Sequence, residues 1–474
     1  MPATSCNVFS GTSAGIARVI GRVTGGEPSS INGTVTVSIA GADLFLINPA
    51  GLIFGPNARL NVSGTVRLST ADYLKMADAT QFHADLARPT VLSVAAVEAF
   101  GFLARPAAQF ASVTIDRGSL QVPTGKTIAI VGGNIDIIGP HSNATPALQA
   151  RSGRIELVSV TSQGEIAATG VVGDAAPAVD AFATLGTVTL SNGARILATP
   201  GVGNVTPGGQ AMVRAHSMTV DASFIAASTG GNQNAPSVAV DLLVRDLLLL
   251  DHGSVISSSN LDRTGTGNAG LVRMKAGRVE LVNGSNLTLL YAGNGKGSDL
   301  LVEADTVRVT DGGARVFAQN RGDRTSTGSG GTLQFVVGQD MFIGPGSAIR
   351  AENLSGSGAG SPIELTAPRL TIEGQFGGTS GAGIIGGTGG FGPASSVVLS
   401  VGALELRGGD ALINTRASTS SVIGGSTQPQ GGGPITVQGL SGAGSAADAV
   451  IIRGQGSGFQ TETDGSGAGG ALQI

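Results

Sequence analysis

Histidines and carboxylates are the side chains best suited to acid–base or metal chemistry, and here both are dispersed. His83, His141, His216 and His252 fall 58, 75 and 36 residues apart, with no metal-ligand spacing. Cys6 is the only cysteine, so neither an internal disulfide nor a Cys/His zinc site is expected. Glycan-cleaving enzymes gather several acids and bases on one face. The acids here are scattered, for example Asp221, Asp251, Glu280 and Asp311. Asp221, Asp251 and Asp311 recur near one slot of a repeat, where Asp close to Gly favours a corner. Val122-Pro-Thr-Gly-Lys-Thr127 ends like a phosphate loop, but the required earlier glycine would fall at Leu120. No catalytic, cofactor-binding or metal-binding residue is assigned. Arg321-Gly322-Asp323 lies in a Gly/Ser/Thr-rich stretch, the setting in which an integrin-type ligand would be displayed, and is a candidate receptor loop.

The elements that must carry these residues follow from composition and spacing. Glycine contributes 77 of 474 residues, far above the usual share of about 7%. Hydrophobic residues make up 41% and mean hydropathy is +0.25, which excludes a disordered chain. Aromatic residues are only 4% and Trp is absent, so a narrow core of Val, Ile, Leu and Ala is expected. Net charge is −4, without a Lys/Arg stripe, which argues against a nucleic-acid partner. No apolar run approaches the length of a spanning helix. Residues 1–20 lack the charged start and apolar core of a signal peptide.

The chain repeats. Leu44-Phe-Leu-Ile-Asn-Pro-Ala-Gly-Leu-Ile-Phe-Gly-Pro-Asn-Ala58 sets two corners between short apolar strands. Asn48-Pro49-Ala50-Gly51 fits a type I turn at its diagnostic positions, with Asn first, Pro second and Gly last. Further on, a strand, a small residue and an aliphatic recur around Gly193, Ala222, Gly253, Gly284, Gly313 and Gly346, at spacings of 29, 31, 31, 29 and 33 residues. Each unit holds two or three alternating strands and one long Gly/Ser/Thr loop. The pattern predicts an all-β fold, a right-handed parallel β-helix (solenoid) with Gly-rich loops on one edge. A β-sandwich array would need hairpins and a repeat of about 100 residues, neither of which is present.

Six ordered motifs carry a family resemblance. They are Arg22-Val-Thr-Gly-Gly-Glu-Pro-Ser-Ser-Ile-Asn-Gly33, Leu44-Phe-Leu-Ile-Asn-Pro-Ala-Gly-Leu-Ile-Phe-Gly55, Leu68-Ser-Thr-Ala-Asp72, Phe100-Gly-Phe-Leu103, Gly125-Lys-Thr-Ile-Ala-Ile-Val-Gly-Gly133 and Gly153-Arg-Ile-Glu-Leu-Val-Ser-Val160. Over residues 7–170 the chain resembles the filamentous haemagglutinin N-terminal domain, the secretion domain of two-partner-secreted exoproteins. Ala50 and Leu52 stand where that family usually has Asn and Ile. The first part of the family domain and its signal peptide are absent, and the last residues read as the start of another coil. The sequence therefore reads as a haemagglutinin-like exoprotein truncated at both ends.

The resemblance implies a partial secretion domain over residues 1–110 and continuing β-helical coils of about 30 residues over residues 111–474. It implies an outer-membrane transporter as partner, with Asn48, Pro49, Gly51 and Leu52 in the secretion motif that engages it. It further implies an extracellular or outer-membrane-associated adhesin that meets a host-cell or surface glycan or protein receptor and acts by display, not catalysis. The alternatives are a β-helical polysaccharide-active enzyme (lyase or hydrolase) and a non-exported gene remnant.

Overall fold

The computed structural model describes residues 7–9, 15–90, 93–168, 172–173, 175–200, 206–376, 382–417, 431–464 and 467–474. Cys6 lies outside them. The chain divides into two compact units, the first comprising Met1–Thr199, Gly209–Ala226 and Asp241–Arg245, the second the remainder. The fold is a parallel β-helix.

In the first unit each turn of chain contributes a strand to each of three parallel ladders. One ladder runs through Arg18–Arg22, Asp43–Ile47, Val66–Ser69, Thr127–Gly132, Arg154–Ser159 and Gln210–Ala215. The second runs from Ser29–Ile31 through Leu52–Phe54, Val113–Asp116, Ile135–Ile138 and Thr187–Ser191 to Ser217–Asp221. The third includes Leu120–Val122, Leu148–Ala150, Arg195–Leu197 and Phe224–Ala226. Alternation turns every second side chain inward, and register stacks like on like. Leu52, Val113, Ile135, Val188 and Met218 form one buried column; Phe54, Ile115, Ile137, Leu190 and Val220 form the next. The narrow aliphatic core is the one the composition predicts.

A second core, absent from the sequence-based expectation, sits outside the coils. Tyr73–Met76 pairs antiparallel with Gln81–His83 and with Val97–Phe102, which pairs antiparallel with Gly164–Ala167. Phe100, Phe102, Phe110 and Phe182 from this sheet and its flanks pack with Phe45, Ile47, Val131 and Val158, side chains that the first ladder turns away from the coil interior. Buried Arg154 and Arg214 and half-buried Arg245 fasten the segment from Ala175 to Leu185 over the same ladder. Arg154 donates to Ala175 O at 2.9 Å, Arg214 to Pro177 O at 3.1 Å, and Arg245 to Phe182 O at 2.8 Å. Arg154, fully buried, also pairs with Glu156 at 2.5 Å, and Arg214 with Asp241 at 2.6 Å. Burial pushes the Glu156 carboxyl up, against the pull of Arg154. An Arg-x-Glu pair within one motif is thus an internal fastening.

In the second unit two of the three strands merge. Leu271–Leu281, Leu300–Val309, Leu333–Ile343, Ile363–Glu373 and Val397–Arg407 pair in parallel in sequence order. Short strands from Val255–Ser257 through Asn286–Tyr291, Arg315–Asn320 and Ala348–Asn353 to Leu412–Asn414 form the other ladder. The repeating glycine is explained by the corner between them. His252-Gly253 and Asn283-Gly284 each have two successive positive φ angles, 49° and 72°, then 49° and 77°. The backbone bonds Ser254 N to Asp251 O at 3.2 Å and Ser285 N to Val282 O at 3.1 Å close the turns. Two successive left-handed residues define a type I′ turn, which glycine and Asn adopt most readily. Such turns ordinarily make hairpins; here they join strands lying on different faces.

The Gly-rich loops stack in register. A Cβ added at Gly295 would lie 2.2 Å from Gly267 O; at Gly328, 2.3 Å from Gly295 O; at Gly392, close against Gly358 O. Backbone bonds such as Asn294 N to Gly265 O at 2.7 Å and Gly328 N to Gly293 O at 3.2 Å tie loop to loop. Buried asparagines anchor their bases. Asn260 Nδ2 donates to Gly267 O at 2.7 Å, and Asn353 Nδ2 to Gly358 O at 2.8 Å.

Candidate functional site

The Asn48–Gly51 corner closes as a turn, with Gly51 N donating to Asn48 O at 3.0 Å. Asn48 is buried and its amide group is used internally. Nδ2 donates to Glu27 O at 3.0 Å and to Ser29 Oγ at 2.9 Å, while Oδ1 accepts from Ala50 N at 3.0 Å. Gly51 has φ of 124° and presses against Ser112 O, 3.3 Å from where a Cβ would stand. Leu52 is fully buried in the aliphatic column. Three of the four secretion-motif residues therefore shape the corner from inside. Pro49 and its neighbour Ala50 remain half-exposed.

Those two residues border a groove of about 570 Å³ that also takes in Val23, Thr24, Asp72, Asp85, Arg88, Leu103 and Arg105. Four motifs far apart in sequence, those containing Val23, Asn48, Asp72 and Leu103, meet at this place. Asp72 is the hub. Its carboxylate accepts Arg105 Nη1 at 3.1 Å, Arg105 Nη2 at 2.8 Å and Leu103 N at 2.7 Å, a bidentate pair plus a backbone bond. Arg105 in turn lies over the Phe110 ring at 4.6 Å. Arg22, next in sequence to the groove residue Val23, is fixed by donation to His83 O at 2.6 Å and by the Phe82 ring at 4.6 Å. Asp85 and Arg88 form a loose, half-exposed pair at 3.8 Å on the rim. The groove combines apolar side chains such as Val23 and Leu103 with a rigid internal ion pair and one accessible pair of charges.

Sequence reasoning missed Asp72, Arg105 and Arg88. Asp72 and Arg105 lie 33 residues apart, and only the antiparallel sheet between them brings them together. A compositional signal was present: Tyr73, Phe82, Phe100, Phe102 and Phe110 crowd into a short stretch of a chain otherwise poor in rings.

Arg321-Gly322-Asp323 opens a stacked loop of the second unit. Gly322 is buried, its N–H donating to Asn320 Oδ1 at 2.9 Å. Asp323 is exposed, but its Oδ1 accepts Thr325 N at 2.9 Å and Thr325 Oγ1 at 2.6 Å. These bonds hold its carboxyl below the usual range. The loop thus presents an exposed arginine, bonded to Gln319 Oε1, and a carboxylate already engaged. The phosphate-loop-like stretch forms a corner, with Gly125 at φ of 78° and Lys126 N bonded to Pro123 O at 3.1 Å. The His83 ring packs tilted against Tyr73, with centroids 5.2 Å apart, and His141 Nε2 lies 2.8 Å from Gly118 O. Asp251 Oδ1 accepts His252 N at 2.7 Å and Asn283 Nδ2 at 2.8 Å within its corner.

Residues 7–213 match the family described as the TPS secretion domain, and this part of the chain is a two-partner secretion domain. Proteins with this domain are secreted, and the domain implies a two-partner-secretion transporter as partner. No curated protein matches the chain. Among solved structures, the HMW1 secretion domain from Haemophilus influenzae aligns at 14% identity over 91% of this chain and 84% of that one, with a TM-score of 0.44. Among the described residues no helix is long and apolar enough to cross a membrane.

Proposed function

We propose that the chain is a surface-displayed adhesin, exported through its outer-membrane transporter, in which the groove at the Asn48–Gly51 corner is the transporter's docking surface. The observation that carries this reading is the meeting of four sequence motifs at one groove whose buried residues build the corner and whose outer side is formed by half-exposed Pro49 and Ala50 together with exposed Arg88. Asn48, Gly51 and Leu52 act by shaping the surface; Pro49 contributes to it directly. The coils beyond residue 213, past the matched secretion domain, serve as the display body, and their repeated loops give avidity from many weak contacts. Display in place of catalysis accords with histidines and acids that are spent on corners and sheet edges.

The test is export from cells expressing the chain, in the form that carries its export signal, with its transporter. Ala50→Glu and Arg88→Glu alter the groove's rim without touching a buried contact. Export should fall at least roughly tenfold, the scale of one lost charged contact, with an unchanged circular dichroism spectrum and melting temperature. Asn48→Ala should lower both export and thermal stability. Unchanged export in both rim variants would refute the docking assignment. Host-cell attachment equal to that of cells lacking the chain would refute the adhesin.

A further inference from the structure

The second unit carries a groove of about 620 Å³ whose walls come from the starts of stacked loops, after Asn260, Asn320, Asn353 and Thr388: Arg263, Arg321, Asp323, Arg324, Leu354 and Phe391. Asn260, Tyr291, Asn320, Asn353 and Thr388 form one column of paired positions, so the residues just after them recur coil by coil. All three arginines are exposed and none forms an ion pair among the described residues, whereas Arg350, Arg369, Arg407, Arg416 and Arg453 of the same unit each have an acidic partner. In a chain with net charge −4, three unpaired arginines in one groove form a local positive field. Two of them are held in place. Arg321 Nη2 and Nε both donate to Gln319 Oε1, at 3.0 and 3.4 Å, which leaves Nη1 without a protein partner, and Arg324 lies over the Phe391 ring at 4.6 Å. The one acid in the wall, Asp323, is bonded to Thr325 and Ser326 and is also drawn on by Arg263, which leaves the arginines in excess in the wall.

We infer that this groove binds an acidic polysaccharide, with Arg263, Arg321 and Arg324 forking onto its carboxylate or sulfate groups. Arginine's planar fork suits both groups. A ligand with several anionic groups is favoured over a single small anion because the arginines sit on two levels, Arg263 after Asn260 and Arg321 with Arg324 after Asn320, two coils or about 9–10 Å apart along the ladder. The assignment rests on the reading of the second unit as the displayed part, and it replaces the Asp323 carboxylate by the arginines as the contact made by the Arg321–Asp323 loop.

The experiment is titration of the purified full chain with a heparin octasaccharide, a polygalacturonate octamer and a neutral dextran oligomer, followed by calorimetry. At least one acidic oligomer should bind, more weakly as salt rises, and dextran should not; which one binds separates sulfate from carboxylate. Arg263→Gln with Arg321→Gln and Arg324→Gln should weaken binding at least 30-fold, and Phe391→Leu by severalfold through the loosened Arg324. A charge-matched control, Arg369→Gln with Arg407→Gln and Arg453→Gln, should change affinity less than threefold. Equal losses in the two triple variants, or no acidic oligomer bound above dextran, would overturn the inference. Binding is measured without export, so a chain that binds but is not exported counts against the proposed function alone, and an exported chain that does not bind counts against this site alone.

Discussion

The phenol of Tyr73 donates to Glu165 Oε1 at 2.9 Å, and Lys75 Nζ reaches Glu165 Oε2 at 2.8 Å. Burial first, then the Glu165 carboxylate, pushes the Tyr73 pKa up to about 12. A folded-state pKa above the unfolded value near 10 means that the folded state keeps its proton longer. The associated stability is whole below pH 10 and is lost as pH rises through 12. Tyr291, the other tyrosine, is also shifted upward by burial, and there is no Trp. Phenolate absorbance should therefore stay low at pH 10 and appear together with the loss of the β signal in circular dichroism. Tyr73→Phe should halve the final amplitude and move the alkaline midpoint upward. A phenolate signal half developed by pH 10 in a chain with native dichroism would contradict the buried hydrogen-bonded phenol.

At the scale of the element, Gly101 shows why the antiparallel sheet was hidden. A Cβ there would lie 2.0 Å from the Tyr73 ring, which covers the glycine across the strand pair. Aromatic cover of a cross-strand glycine fixes register by shape. Gly101→Ala should drive the ring off its seat, break the bond to Glu165 and cost about 1–3 kcal/mol. Thermal melting would read this as a fall of several degrees, and an unchanged melting temperature would show that the ring does not need the gap. The motif Phe100-Gly101-Phe102 was legible as a strand but not as an antiparallel one, because alternation reports which face a side chain takes and not the direction of its neighbour. The coils were legible for the opposite reason: Asn283-Gly284 and Asn48-Pro49-Ala50-Gly51 encode their corners locally, within four residues. The groove at residues 48–51 was half legible. Its corner is local, but Asp72 and Arg105 meet only through the sheet, and Arg88 on its rim carries no motif at all.

At the scale of the whole chain, stacked coils couple mainly to their nearest neighbours, so damage should spread along the ladder and fade with distance. Leu333 is fully buried and paired with Leu300 on one side and Ile363 on the other. Removing its side chain leaves a cavity in a column that has no large rings to collapse into it, at a cost of about 2–5 kcal/mol. The aromatic core of the first unit shares no residue with that column. Hydrogen exchange of Leu333→Ala should therefore accelerate most in the strands Leu300–Val309, Leu333–Ile343 and Ile363–Glu373. The amides of Thr127–Gly132 and Val97–Phe102 should keep their protection. The stacked glycines make the loops part of the same ladder, so exchange in residues 292–299 and 354–361 should rise with the strands. Protection lost evenly across both units would mean that the chain unfolds as one cooperative block, and the independence of the secretion domain from the coils that follow it would fall with that result.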